Sequence, residues 1–304
     1  MAAVYSEFAR VYDELMDNAP YGEWCENIAA LIREYGVSRP VADRAASGPE
    51  DGRTDRRGAC ADSGEDTVNR TDYRMEASEA LLASERDLVL DLGCGTGTLT
   101  ELLSQKGYDM MGVDNSPQML EIAMEKRAES GSEILYLLQD MRELELYSTV
   151  GTVVSVCDSL NYLLREEELL QVFRLVDNYL YPGGLFLFDF NTVYKYSQVI
   201  GDTVIAENRD DCSFIWENTY YEEEEINEYD LTVFVRQEGD HFLRFTENHF
   251  QRGYTPETMR RLVEQAGMQV VRLLDADSLK EVNDQSERVY VLARECRKSG
   301  KRSC

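Results

Sequence analysis

The sequence has only two histidines, seven cysteines and little positive charge. The histidines, His241 and His249, lie far from any cysteine cluster, and no cysteines form a CxxC pair, so no metal centre is expected. The cysteine count is odd and a chain of 304 residues needs no covalent staples, which leads us to expect reduced, structural thiols. Lys and Arg number 31 against 58 Asp and Glu, a formal net charge of −27. Such a surface repels a polyanion and offers little counterion release, which argues against nucleic acid as a partner without excluding a local basic patch. No apolar run approaches the roughly 18 residues of a membrane span, and Met1–Arg10 lacks the charged-then-apolar layout of a signal peptide. No membrane partner and a cytoplasmic location are therefore expected, and the oligomeric state is left open.

What is present is a chain that is 43% hydrophobic, long enough for about two domains or one enlarged α/β domain. Apolar residues at helical spacing (Phe8, Val11, Tyr12 and Leu15, then Trp24, Ile28, Leu31 and Ile32) predict two N-terminal helices within 1–37, broken at Asn18-Ala19-Pro20. Residues 38–74 combine mixed charges with Gly, Ser and Pro and lack Leu and Ile, which predicts a disordered insertion. Over 75–198 short apolar strands alternate with helices, the pattern of a doubly wound, mostly parallel, Rossmann-like sheet covered on both faces. Residues 199–253 carry four β segments without intervening helices and predict an antiparallel insert on the substrate side. Residues 254–296 supply one helix and two strands that complete a seven-stranded sheet, and 297–304 form a basic tail expected to fray.

The strongest local signal is Leu88-Val89-Leu90-Asp91-Leu92-Gly93-Cys94-Gly95-Thr96-Gly97-Thr98, a buried strand turning through three alternating glycines into a helix. Glycines allow a sharp turn and close approach of a ligand to backbone, beside a helix N-terminus that favours anions. The spacing is not the G-x-G-x-x-G of dinucleotide sites, because Thr98 stands where the third glycine would fall. Asp91 beside the turn would repel a pyrophosphate and suits a cationic ammonium or sulfonium. Asp114 ends the next strand where a carboxylate could accept both ribose hydroxyls, a role common to nicotinamide and S-adenosyl ligands.

With three further blocks in order (Gly112–Leu120, Gln139-Asp140-Met141 and Cys157–Tyr162) the sequence resembles the class I S-adenosylmethionine-dependent methyltransferases, closely over 77–200 and loosely over 254–295. The resemblance implies S-adenosylmethionine as cofactor, with S-adenosylhomocysteine as product. It implies that Gly93, Cys94, Gly95 and Gly97 cradle the methionine portion with Asp91 near its ammonium, and that Asp114 binds the ribose. Asn115 and Met119 would lie along the adenine, Asp140 would accept from its amino group, and Met141 would cover the ring. Asp158 would face the sulfonium and the incoming nucleophile. The N-terminal stretch resembles the lid helices of a bacterial small-methyltransferase branch, so Tyr5 and Tyr12 are expected over the cofactor, and Tyr21 and Trp24 near the substrate. Ordinary core packing is the alternative for that face.

For catalysis the candidates are Asp158, Tyr162 and His249, with Tyr254 as a further possible base; a structural histidine is the alternative for His249. If 245–254 is a strand, Glu247, His249 and Gln251 share one face. Asn161 and Arg252 are candidate substrate contacts. A small-molecule or protein side-chain acceptor is expected. An RNA acceptor would require Arg252, Arg260 and Arg261 to concentrate at the cleft rim. An NAD-dependent oxidoreductase and a non-catalytic binding module are the competing readings.

Overall fold

The structure, a computed structural model, describes residues 8–44 and 81–298. Helices α1 (Phe8–Leu15), α2 (Tyr21–Tyr35) and α3 (Val41–Arg44) come first, followed by helical residues 81–87 (α4). Then β1 (Leu88–Leu92), α5 (Thr98–Gln105), β2 (Asp109–Asp114), α6 (Pro117–Ser130), β3 (Leu135–Leu138), β4 (Val150–Ser155), α7 (Glu166–Tyr179) and β5 (Leu180–Asn191) alternate. Strands β6 (Val204–Asn208), β7 (Cys212–Tyr221), β8 (Ile226–Arg236) and β9 (Phe242–Arg252) follow, then α8 (Pro256–Ala266), β10 (Met268–Asp275) and β11 (Arg288–Glu295).

Helix ends follow local chemistry. Ser116 caps α6 by accepting from the Met119 amide, Pro117 opens it with a fixed φ, and Gly131 closes it in the left-handed conformation. Thr255, Pro256 and Gly267 play the same parts at α8.

Seven strands form one sheet in the order β10-β11-β5-β4-β1-β2-β3. β11 runs antiparallel to both neighbours and the remaining pairings are parallel. This is the doubly wound α/β architecture expected from the alternation of elements. On one face α7 and α8 bury Val172, Phe173, Met259 and Val263 against Leu90, Val153, Phe186 and Phe188. On the other, α2 and α5 bury Ile28, Ile32 and Leu103 against Val89, Val154 and Leu187. Parallel strands buried on both sides need such unbroken apolar runs. Strands β6 to β9 make a separate antiparallel sheet in sequential order. Along β9, Glu247, His249 and Gln251 are buried while Thr246, Asn248 and Phe250 are exposed, so the expected face-sharing holds.

Three expectations require correction. Residues 38–44 do not belong to a disordered segment. Ser38 is fully buried and its hydroxyl hydrogen-bonds the Arg86 carbonyl at 3.0 Å and the Thr152 hydroxyl at 2.8 Å. The Arg39 amide donates to the buried Asp87 carboxylate. Few apolar side chains are needed there because polar groups tie the backbone to the sheet edge. The rest of the proposed insertion, from residue 45 to 74, lies outside the described residues. In the tail, Lys298 is anchored rather than frayed: its Nζ donates to the carbonyls of Asp177, Asn178 and Leu180, where α7 leaves its last acceptors unfilled. Residues 299–304 lie outside the description. Finally, the two N-terminal helices differ in kind: α2 is a core layer of the sheet, and only α1 roofs the cavity described next.

Candidate active site

A cavity of about 590 Å³ opens at the carboxyl ends of β1, β2, β4 and β5. Open α/β sheets place ligands there, because strand ends, crossover loops and helix N-termini converge. Its roof is α1, whose Phe8 and Val11 pack on Met119 of α6 and on Leu231 and Val233 of β8. The antiparallel sheet supplies the far wall through Trp216, Tyr229, Leu231, His249 and Gln251.

The glycine turn lies at the cavity's near end. Gly93, Gly95 and Gly97 have φ of +82°, +54° and +74°, a region that L side chains avoid. Their surroundings differ. A Cβ on Gly93 would meet Ser159 Oγ at 2.7 Å, and one on Gly97 would meet Tyr136 Oη at 2.5 Å. A Cβ on Gly95 would meet nothing within 4 Å, so this backbone faces open space on the cavity wall. Cys94, Asp91, Asp114, Asn115, Met119 and Met141 also line the cavity. Asp91 is 2% exposed, accepts the Thr100 hydroxyl at 2.6 Å, and is pushed up to about 7 by burial. Asp114 Oδ2 accepts from the Gly95 amide and Oδ1 from the Ser116 amide, both at 2.8 Å. It thereby joins the turn to the start of α6. Burial raises its pKa and those amides pull it back.

At the far end β4 runs out into Cys157 and Asp158, two consecutive non-glycine residues with positive φ. The buried Asp189 carboxylate holds this turn by accepting from the Cys157 amide at 3.1 Å and the Asp158 amide at 2.8 Å. Arg288 lies 3.4 Å from Asp158 Oδ1 and 3.7 Å from Asp189 Oδ2, with its guanidinium 5.0 Å from the centre of the Trp24 ring. A chain of hydrogen bonds ends on Asp158. Lys195 Nζ donates to Asn191 Oδ1 at 3.0 Å, Asn191 Nδ2 to Tyr196 Oη at 3.0 Å, Tyr196 Oη to Gln251 Oε1 at 2.5 Å, and Gln251 Nε2 to Asp158 Oδ2 at 2.6 Å. Each donor points from the ammonium toward the carboxylate, so the dipoles reinforce one another. Tyr162 and His249 lie together on the wall, Tyr162 Oη 3.3 Å from His249 Nδ1, and Tyr229 stacks on the imidazole. Burial lowers the His249 pKa to about 4, which keeps the ring neutral and makes it a weak base at neutral pH.

The structure thus brings most of the expected residues to one cavity. Tyr12, Tyr21 and Trp24 line it. Tyr5 lies outside the described residues. Three candidates are corrected, and a fourth, Asp140, is engaged by a neighbour. Asn161 is fully buried with its amide committed to backbone: Nδ2 donates to the Asn191 and Arg252 carbonyls and Oδ1 accepts from the Asn191 amide. Arg252 pairs with Glu225 and lies over the Tyr254 ring, away from the cavity lining. The buried Tyr254 hydroxyl donates to the Leu163 carbonyl, so it is no candidate base. Asp140 lines the cavity, yet its carboxylate caps the turn at Met141–Glu143 and accepts the Arg142 guanidinium at 2.6 Å. These contacts come from three Arg142 N–H groups, the Nε–H being shared between both oxygens, so about one of the four lone-pair sites is left for a ligand.

Sequence reasoning missed Lys195, Tyr196, Arg288 and Asp189 as site residues. Nothing local marks them: Asp189 lies near the end of β5, Lys195 and Tyr196 follow it, and Arg288 opens β11. Only the alternation along β9 signalled Gln251.

Together, the sheet order, the three-glycine turn after β1 and the carboxylate after β2 define an S-adenosylmethionine-dependent methyltransferase of class I. A family model described as a methyltransferase domain matches residues 89–184. Over 95% of its length the chain is 31% identical to "Putative methyltransferase YqeM" of Bacillus subtilis (strain 168), covering 96% of that protein. Its fold matches that of an S-adenosylmethionine-dependent methyltransferase from Clostridium acetobutylicum ATCC 824, with a TM-score of 0.65, 30% identity, and coverage of 76% of this chain and 93% of that one. An amino pentose methyltransferase from Micromonospora echinaspora shares the fold at 17% identity and a TM-score of 0.56, with coverage of 78% and 100%. The chain belongs to this methyltransferase family and is an enzyme that uses S-adenosylmethionine. The oxidoreductase and non-catalytic readings are thereby set aside.

Proposed function

We propose that the protein methylates a small molecule held wholly inside the roofed cavity. The observation that carries this reading is the shape of the site: among the described residues α1 and the antiparallel sheet border a partly roofed cavity of about 590 Å³. That volume falls within the roughly 300–1,000 Å³ of drug-sized sites, and donor and acceptor must share it. Charge agrees. Of the arginines an RNA acceptor would need, Arg252 and Arg261 are paired with Glu225 and Glu166, and Arg252, Arg260 and Arg261 are absent from the lining.

The donor fits the near end. The open face at Gly95 gives a backbone cradle that a Cβ would fill. Asp91 would face the donor's ammonium, and Asp114 would accept from the ribose hydroxyls. Cys94, Asn115, Met119 and Met141 would flank the adenine and the glycine turn, with Tyr12 above. Bound S-adenosylmethionine supplies a methyl group on a cationic sulfur, a reactive leaving-group arrangement that needs no metal.

The protein's own contribution is then mostly alignment and exclusion of water. Asp158, fixed by Gln251 and Arg288, would orient the acceptor's N–H or O–H and receive its proton. Tyr162 and the neutral His249 would form the wall against which the nucleophile is set, and Tyr21 and Trp24 the opposite side. The test is incubation of the purified protein with methyl-tritiated donor and, separately, low-molecular-mass, protein and RNA fractions of a cell extract. Label should enter the low-molecular-mass fraction. Label confined to RNA or protein would overturn the reading.

A further inference from the structure

At the far end of the cavity Lys195 is a cation with no carboxylate in direct contact among the described residues. Lys195 lines the cavity just after β5, and among the described residues its Nζ donates one hydrogen bond, to the neutral Asn191 amide. Among the described residues its Nζ forms no ion pair, whereas Arg288 nearby is paired with both Asp158 and Asp189. An ammonium carries three donors, and a single amide oxygen satisfies one. The carboxylates of Asp158, Glu287 and Asp189 act on it at longer range, while burial and Arg288 pull its pKa down. The indole Nε1 of Trp216, a residue on the cavity wall, is buried and has no hydrogen-bond partner among the described residues. Placing unfilled donors in a largely enclosed site costs free energy unless a ligand supplies the acceptors.

We infer that Lys195 binds an anionic group of the methyl acceptor, so that the acceptor carries a carboxylate or phosphate set apart from its nucleophilic atom. This rests on the small-molecule reading above and deepens it. The hydrogen-bond chain gives the arrangement its logic: its cationic end at Lys195 meets the acceptor's anion and its anionic end at Asp158 meets the nucleophile's N–H or O–H. One substrate is thereby gripped at both ends of a single polarised network, with the nucleophile directed to Asp158 and the handle held away from it. The acidic surface of the chain discourages anions in bulk, which makes a buried cation the more selective means of admitting one.

The experiment titrates the full-length protein, saturated with S-adenosylhomocysteine, with benzoate, phenyl phosphate and neutral benzamide by calorimetry. At least one of the two anions should bind more tightly than benzamide, and which one does so separates a carboxylate handle from a phosphate handle. Lys195→Met should weaken that anion tenfold or more, and Lys195→Arg should restore most of the affinity. Lys280→Met, which removes an exposed cation outside the cavity lining, controls for net charge and should leave anion binding unchanged. A role for Lys195 confined to folding would weaken S-adenosylhomocysteine along with the anion, and that result overturns the inference. So does equal binding of benzamide and the anions, or anion affinity insensitive to Lys195→Met. Absence of S-adenosylhomocysteine binding in the parent protein would instead strike at the donor site, a separate failure visible in the first titration.

Discussion

The Asp13 carboxylate on α1 accepts the hydroxyl of Thr96, within the glycine turn, at 2.7 Å. The same carboxylate lies 2.6 Å from Lys126 Nζ on α6 and accepts from Thr98 at 3.3 Å. The roof helix is therefore fastened directly to the loop that would hold the donor. Arg209, from the turn between β6 and β7, fastens the same end of the helix through Asp17 and the Glu14 carbonyl. Roof, turn and antiparallel sheet are one connected unit.

Loss of the Asp13 latch should loosen the roof without unfolding the sheet. The contact is partly exposed, so its worth is about 1 kcal/mol. In Asp13→Ala, S-adenosylhomocysteine should dissociate roughly fivefold faster by stopped-flow displacement. An unchanged off-rate would mean that α1 does not retain the ligand.

The glycines of the turn should separate stability from binding. Gly97→Ala drives a methyl into Tyr136 Oη and the Ala123 side chain, so its melting temperature should fall. Gly95→Ala meets no atom and bears only the left-handed backbone penalty of about 1 kcal/mol, yet it fills space at the cavity wall. Its melting temperature should move little while donor affinity drops at least tenfold. Equal behaviour of the two variants in melting and titration would contradict this division.

Asp91 should make donor binding depend on pH. Burial lifts its carboxyl from 3.8 to about 7 in the folded protein. A raised folded-state pKa means the native state holds more protons than the unfolded state between those values, so this group's contribution to stability falls as pH rises through that window. A ligand ammonium beside it favours the charged form and expels the proton. Affinity for S-adenosylhomocysteine should therefore climb with pH, by at most about tenfold per unit, and level off above about 7. Asp91→Asn should flatten the profile in calorimetry across that range; a slope that survives the substitution would point to another group.

The support beneath Asp158 should be expensive to remove. Asp189→Ala frees two amides at a left-handed turn and leaves Arg288 short of a buried partner. Breaking a buried pair in this way costs about 3–5 kcal/mol. Urea unfolding should show a midpoint shift of that size, and a change below 1 kcal/mol would mean that the turn is held by other contacts.

Much of the fold was legible because it rests on local rules. The strand 88–92, the Pro117 and Pro256 helix starts and the Gly267 stop all appear where periodicity and capping chemistry place them. The glycine turn was legible for the same reason: its residues are adjacent, and positive φ leaves a direct mark on composition. Residues 38–44 misled because their order comes from polar contacts to Arg86, Asp87 and Thr152, which leave no apolar pattern. Asn161 and Arg252 misled because a polar side chain near a motif reads alike whether it serves a ligand or the backbone.

By itself the sequence determined the alternation of strand and helix, the donor-type turn with Asp91 and Asp114, and hence the class of chemistry. Those features are set by near neighbours along the chain, where sterics and hydrogen-bonding geometry act over a few residues. Tertiary structure alone decided which helix became the roof, and which polar groups share the far end of the cavity. Asp158, Asp189, Lys195, Gln251 and Arg288 meet only because the ends of β4 and β5, the start of β11 and the end of β9 from the second sheet converge, and their charges acquire meaning only through that proximity and the loss of water around them.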